Sequence, residues 1–479
     1  MRLGLSVALQ YDLSTSPNLL PAFVSGDSGA YQMGATEVLR TTVDKRAGGR
    51  VHVEAAITDL RTQRCRKVID ADAPSEKGLI VALNSIAKQI DPQATDFSTT
   101  SAGALQSFTT AAQSAGLQAR ARDLRAAIQA DPGFGLAYLL LLNTVAPTSE
   151  QSLAEVLSQA DIHRNTFKPL DQARLAELSA RLKHEGLRRQ EETASAVLKL
   201  APNDVETLAA LGVTRFLQGD ATGGHRFLGR ALQLSPGNES IRQELAHGLI
   251  ETKRYAEAEK LIVNPTDLAI CFLLQGDMAR ANAAMEKLTA SLGNPELKTL
   301  FRANWLAISG NVNQAVDTIK HADFSDPTAR SAALVQVAFW QAMGHDFTGA
   351  KNSAARARKL TTSSGSLALV AQLLTQADKP PAEWRRQIAA AALNTSSEQI
   401  LLGYGFFLYG HYSDSASVWQ QILNQSGDTD LRARAMLASS LDHAGRADEA
   451  RRIRVQPFVP EFGDIYAPIS FNEMRRLIR

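Results

Sequence analysis

Helix-breaking turns recur along most of this chain at a nearly constant interval, and that interval limits the folds open to it. Turn-forming residues stand at Gly186, Gly219-Asp220, Lys253-Arg254, Gly276-Asp277, Gly310-Asn311, Gly344, Ala377-Asp378, Gly410 and Gly445-Arg446, their first residues separated by 33, 34, 23, 34, 34, 33, 33 and 35 residues. A period of about 34 residues holds two helices of roughly a dozen residues and the turn between them. Such a pair cannot bury both of its apolar faces alone, so it must stack on copies of itself. Prolines keep the same beat. Pro202 and Pro236 lie 34 residues apart, each where a second helix must end because proline lacks the amide N–H and clashes inside a helix. Asp131-Pro132 lies 70 residues before Pro202, room for two units. Ala281, Ala315 and Ala450 follow their turns by about five positions, where the helices of a pair cross closely.

The unit at 205–238 carries Leu211-Gly212, Gly219-Asp220, Ala231 and Pro236, and second helices open with Tyr255-Ala256-Glu257-Ala258 and Arg446-Ala447-Asp448-Glu449-Ala450. These residues resemble the tetratricopeptide signature, over roughly 101–454. The resemblance implies a mainly α protein, a right-handed α-solenoid of about ten helix pairs with little or no strand, and a role in binding protein or peptide. The chain departs from the pattern in three places. Gly224 stands where a small Ala is usual, the large aromatic early in the first helix is mostly missing, and the unit from Lys253 to Gly276 is short by about 11 residues. Within that unit Asn264-Pro265-Thr266-Asp267 reads as a stop followed by an N-cap, leaving Asp267 to Gln275 for the next first helix. Truncated helices and a local change in superhelical curvature are expected there.

Residues 1–95 have another rhythm and are expected to form a small α/β domain. Arg50 to Thr58 alternates apolar and polar side chains, the period of a half-buried strand, and Asp59 to Arg64 is a turn from which Cys65 to Ile69 returns as a partner strand. Lys77 to Ile90 has helical spacing through Leu79, Val81, Leu83, Ile86 and Ile90, and Arg2 to Leu9 reads as a first strand. Gly34 to Arg40 followed by the 50–64 hairpin is similar to the end of a TolB-like amino-terminal domain, a bacterial module often placed before tetratricopeptide arrays. Residues 91–103 are polar with Pro and Gly, suited to a linker or the start of a helix. The array then spans 96–454. The tail, 455–479, mixes Pro457, Phe458, Pro460, Phe462, Tyr466, Pro468 and Phe471 before a helical stretch from Asn472. It is expected to cap the last pair, since terminal repeats expose an apolar face; a partner-docking peptide is the competing reading.

Composition is that of a chain able to bury a core: 44% hydrophobic and 21% charged, with a formal net charge of +2. That charge offers no field to draw nucleic acid, and the runs Arg451-Arg452-Ile453-Arg454 and Arg475-Arg476 read as solvated helix faces. Cys65 and Cys271 stand alone in separate regions, so no paired-cysteine site is available, and Cys271 lies in an apolar run. No run of 18 apolar residues marks a membrane span. The compartment is read as cytoplasmic by default, periplasmic if an upstream signal or membrane helix precedes the chain.

Catalytic fragments fail on context. Gly26-Asp27-Ser28-Gly29 resembles a serine-protease nucleophile segment but lacks the β-barrel that presents His and Asp. His184-Glu185 has no second His at zinc spacing, and Gly403-x-Gly405 falls inside a helical repeat rather than after a strand. No catalytic residue, cofactor or metal is therefore assigned. Binding falls to the face formed by the first helices of successive pairs. Projection places Phe216, His247, Asn304, Tyr404 and Phe407 there among Ala209, Val213, Gln243, Ile250, Leu300, Ala307, Leu334, Ala338, Gln341 and Ile400, with Tyr404 and Phe407 one turn apart. A face this apolar suits a hydrophobic peptide or helix, or is filled by internal packing. The two-carboxylate clamp with which chaperone-binding tetratricopeptide domains hold a peptide's terminus is absent from this face. The expected function is a non-catalytic protein-interaction scaffold, the sensory or regulatory region of a bacterial multidomain protein; alternatively, a stand-alone envelope assembly factor. The sequence leaves the oligomeric state open.

Overall fold

Left-handed backbone at the predicted turns sets the helix pairs. The computed structural model describes residues 2–21, 27–32, 35–75, 78–146, 150–360, 373–374, 381–390, 395–427, 429–460 and 466–478. Positive φ occurs at His184, Gly219, Lys253, Gly276, Gly310, His345, Gly410 and Gly445. Six of these fall on the predicted turns; His184 and His345 carry the strained conformation close to Gly186 and Gly344. The turn at Ala377-Asp378 lies outside the described residues.

The chain forms two compact units, Met1–Glu244 and Leu245–Arg479. The first begins with α1 (Arg2–Leu13) and the short α2 (Asp27–Gln32), then β1 (Glu37–Lys45), β2 (Val51–Asp59), β3 (Cys65–Ala73) and α3 (Leu79–Ile90). The strands make an antiparallel sheet in the order β1-β2-β3, with Thr41 opposite Ala55 and Ala55 opposite Ile69. Val51, Val53 and Ala55 of β2 are buried on one face, the period-two alternation read from the sequence. Strand β1 is an addition to the expected hairpin; its signal is the β-branched Val38, Thr41, Thr42 and Val43.

The first strand expected at Arg2 to Leu9 is instead helix α1. Leu3, Leu5, Val7 and Leu9 alternate like a strand, yet the element packs on α3 and on α4 (Ala102–Gln113). It buries Ala8, Leu9, Tyr11 and Leu13. Tertiary packing decides between two weak local preferences. Residues 91–101 carry no helix or strand, but Phe97, Ser98 and Thr99 are buried.

Helix pairs follow: α4 with α5 (Leu117–Ala130), α6 (Gly135–Val145) with α7 (Glu150–His163), α8 (Pro169–Leu182) with α9 (Leu187–Leu200), and α10 (Val205–Gln218) with α11 (Ala221–Leu234). Helix α12 (Glu239–Glu251) crosses the division and is followed by the short α13 (Tyr255–Ala258). The second unit continues with α14 (Pro265–Leu274) and α15 (Met278–Ser291), α16 (Pro295–Ser309) and α17 (Val312–Lys320), and α18 (Pro327–Met343) and α19 (Phe347–Leu360). Then come α20 (Pro381–Ala390), α21 (Thr395–Leu408) with α22 (Tyr412–Ser426), α23 (Leu431–His443) with α24 (Ala447–Arg452), and α25 (Ala467–Ile478). No strand occurs among the described residues after β3. The fold is mainly α, a helix-pair solenoid preceded by a small three-stranded sheet.

Local chemistry explains the boundaries. Asp204, Asp220, Asp277, Asp326 and Asp430 accept hydrogen bonds from backbone N–H groups of the first turns of α10, α11, α15, α18 and α23, satisfying donors with no partner inside the helix. Helices α9 and α11 stop at Leu200 and Leu234, two residues short of Pro202 and Pro236. In the short unit α13 has 4 residues and α14 has 10, so the helices are truncated as expected. Helix α14 starts earlier than predicted, because Asn264 is the N-cap and Pro265 takes the first turn.

Close crossings account for several glycines. A Cβ on Gly212 would lie 2.6 Å from Leu228 Cγ and 2.9 Å from its backbone N, and one on Gly224 would lie 2.6 Å from the Phe216 ring. Gly224 therefore replaces the usual Ala because Phe216 fills the crossing. In α21, Gly403 faces Trp419 and Gly405 faces Trp384, so this Gly-x-Gly is a helix-packing feature. Gly224→Ala should destabilise the chain by about 1–3 kcal/mol through overpacking. Gly229→Ala, whose Cβ meets nothing within 4 Å, should stabilise by about 0.5–1 kcal/mol. Chemical denaturation of both variants checks the contrast, and equal shifts of the same sign would contradict it.

Candidate functional site

In each unit the face formed by first helices carries a terminal helix of the chain, built there by different chemistry.

In residues 1–244 the occupant is α1. Its Tyr11 ring meets Phe97 edge-on at 5.4 Å between centroids, and the Arg174 guanidinium lies over the ring at 5.7 Å. The Tyr11 hydroxyl donates to Asp171 Oδ1 at 2.7 Å, and Ser98 Oγ donates to Asp171 Oδ2. Burial pushes the Asp171 carboxyl up, opposed by these two hydrogen bonds. A Cβ on Gly135 would lie 2.6 Å from Asp171 Cβ, so the start of α6 is pressed against this hub. Arg174 donates to Asp204 Oδ2 at 2.6 Å, tying α8 to the N-cap of α10. Beside the hub lies a cleft of about 540 Å³ lined by Gln10, Tyr11, Leu136, Asn143, Arg174 and Asn203 among others.

Asp12, one residue on, is fully buried and its two carboxyl oxygens have no hydrogen-bond partner among the described residues. Burial, reinforced by the charge of Asp96, pushes its pKa up to about 8. The unfolded carboxyl titrates near its ordinary value of 3.8, so the folded chain holds a proton that the unfolded chain has released. Stability contributed by this group is present below about pH 4 and is lost as pH rises toward 8, at up to about 1.4 kcal/mol per pH unit. Asp12→Asn removes the titration. The stability of the variant relative to the native chain, measured by denaturation from pH 4 to 9, should rise through that window and level off above it; a pH-independent difference would contradict the assignment.

In residues 245–479 the occupant is the carboxyl-terminal tail. Helix α25 packs on α23 and also on α16. Phe471 and Met474 are fully buried in one cluster with Ala269 and Ile270 of α14, Trp305 and Ile308 of α16 and Ala435 of α23, and burial of each such side chain contributes about 1.5–3 kcal/mol. Tyr466 stacks on Tyr404 at 4.6 Å and 4° and meets Phe339 edge-on at 5.1 Å. Polar contacts line the rim. Asn472 Nδ2 donates to Ala307 O at 3.1 Å, Ser439 Oγ to Glu473 Oε2 at 2.6 Å, and Arg476 Nη1 to Asp442 Oδ2 at 2.8 Å. Lys253 Nζ donates to the carbonyl of Ile478 at 3.2 Å, and Arg434 to Gln456 Oε1 at 3.2 Å. The tail therefore covers more than the last pair: it runs back along first helices as far as the α12–α13 turn.

The five residues singled out from the sequence are dispersed among these features. Phe216 is buried between α10 and α11 against Gly224. His247 Nε2 lies 3.1 Å from Asp267 Oδ2, linking α12 to α14, with its ring partly exposed. Asn304 is buried in α16. Tyr404 is fully buried between Tyr466 and Trp419, the latter edge-on at 4.8 Å. Phe407, one turn on, turns toward Tyr412 and His443, with centroids 5.5 Å away in both cases. Tyr404 and Phe407 thus share a helix but meet different neighbours. The residues missed are those of the seat itself: Ser439 and Asp442 on α23, and Asn472, Glu473 and Arg476 on the tail. Only the Pro and aromatic mixture of the tail signalled them.

Residues 215–263, from the end of α10 through α13, match the tetratricopeptide repeat family. No curated protein matches the sequence. Among solved structures the chain is similar to the human IFIT1 dimer with PPP-AAAA, at 13% identity over 79% of this chain and 92% of that one, with a TM-score of 0.25. It is also similar to the APC/C hetero-tetramer Cut9-Hcn1, at 13% identity over 76% and 78% with a TM-score of 0.26. The P58(IPK) TPR domain matches at 12% over 72% and 98%, with a TM-score of 0.19. The chain carries a tetratricopeptide-type repeat in a helical scaffold, and no described helix is long and apolar enough to cross a membrane.

Proposed function

We propose that this protein is a non-catalytic protein-interaction scaffold that receives a helical segment of a partner on the first-helix face of residues 245–479. The observation that supports the reading is the seat of α25. That face already holds an amphipathic helix by aromatic anchors, a buried apolar row and a polar rim, which is the helix-in-groove mode of peptide recognition. His247 and Asn304 lie along the same first helices, and Tyr404 gains an open ring face once Tyr466 lifts away. Phe216 and Phe407 hold the scaffold's shape in this reading. The sheet with α3 is the TolB-like module, and the chain serves as the sensory or regulatory region of a bacterial multidomain protein.

The reading is tested by photo-crosslinking in the native host. A benzophenone side chain replaces His247 on the proposed face, and a control replaces Lys287, which is exposed on the second helix α15. One recurrent protein adduct at 247 and none at 287 is expected. Adducts at neither position, or the same mixture at both, would contradict the reading.

A further inference from the structure

We propose that the first-helix face of residues 245–479 is a docking surface for an amphipathic helix of another protein, and that α25 occupies it as an intramolecular competitor. The inference rests on the scaffold reading and adds the chemistry of the partner and the means of its control.

The extent of the seat argues against a mere cap. A capping element need only cover the terminal pair, here α23 and α24. Helix α25 instead reaches α16, shares a cluster with α14, and ends with its Ile478 carbonyl on Lys253. The pairs it crosses are complete without it. Their turns close at Gly276, Gly310 and Gly445, and Asp277, Asn294 and Asp430 cap their helices from within the repeats. The Ala307 carbonyl that receives Asn472 also accepts from Gly310 N within its own repeat. Releasing α25 therefore breaks no contact that forms a pair. Residues 455–460, with which the tail begins, carry no helix or strand and pack on the same cluster through Val455, Phe458 and Val459, so release needs no repeat to unwind.

The contacts define what else would fit. The partner helix carries an aromatic residue for the Tyr404 ring and apolar residues at the places of Ile469, Phe471 and Met474. It also carries a carboxylate toward Ser439 and His443, and a guanidinium or ammonium toward Asp442. A tethered occupant acts at an effective concentration in the millimolar range. A free helix of the same pattern at micromolar concentration is therefore excluded until the tail is weakened or drawn off by a longer partner.

The test uses the full chain and a fluorescein-labelled synthetic peptide of residues 466–479, followed by fluorescence anisotropy. Phe471→Ala weakens the tail's apolar hold and leaves the peptide's own Phe intact; Asn472→Ala removes only the bond to Ala307. The peptide should bind Phe471→Ala at least about tenfold more tightly than the native chain, with Asn472→Ala between them. Helical circular dichroism and the elution volume of the native chain should be preserved. Folded variants with no gain in affinity would make α25 a permanent part of the core and overturn the proposal. Loss of helical structure in both variants would do the same, and concentration-dependent dimers that block the peptide would assign the face to a second copy. If the peptide binds as expected while crosslinking at 247 captures no partner, the tail competes as proposed but the scaffold reading fails; the reverse result spares the scaffold and removes the competitor.

Discussion

A helix pair has more apolar surface than its own crossing can bury, and everything else in this protein follows from where the remainder goes. Within a pair, small residues let the helices close. Gly212 meets Leu228, Gly224 meets Phe216, and Ala281, Ala315 and Ala450 are buried where second helices begin. Between pairs, first and second helices stack in chain order, as α9 does on α10 and α17 on α18. What stacking leaves uncovered is the first-helix face. In residues 1–244 helix α1 lies on it, and in residues 245–479 the tail does.

The two occupants are held differently, and the difference has consequences. Helix α1 is fixed by a buried polar hub in which Asp171 takes hydrogen bonds from Tyr11 and Ser98 while Arg174 bonds to Asp204. Breaking one member of such a network leaves a buried charge or hydroxyl unpaired, so the network opens as a whole or stays shut. On the same helix the carboxyl of Asp12 is buried with no hydrogen-bond partner among the described residues, and burial raises its pKa. The tail is held by apolar side chains with polar contacts at the rim, several of them partly exposed. Exposed ion pairs contribute little, and apolar contacts are non-directional, so another helix of like pattern could replace it.

The architecture was readable because turn chemistry and proline are local signals. Gly219, Gly276, Gly310, Gly410 and Gly445 sit at positive φ where the spacing placed them, and Pro202 and Pro236 follow the ends of α9 and α11. Asn264-Pro265 marked the short unit, although its capping register had to be read from the structure. Local signals failed where a long-range contact decides. The alternation in Leu3, Leu5, Val7 and Leu9 looked like a strand until α3 and α4 supplied a surface for a helix. Tyr404 projected onto the expected face, but no periodicity could show that Tyr466 lies on it, because the two are joined only by the fold of the tail. Gly224 was visible as a departure, and its reason was Phe216 on the preceding helix.

Helix α25 must be both seated and separable, and amide hydrogen exchange of the unaltered chain measures the two properties at once. Residues 467–478 should be protected relative to an unstructured peptide while exchanging faster than α23 beneath them, since opening the tail leaves the pairs intact. Exchange of 467–478 at the unprotected rate, or only together with α23 in a global opening, would contradict it.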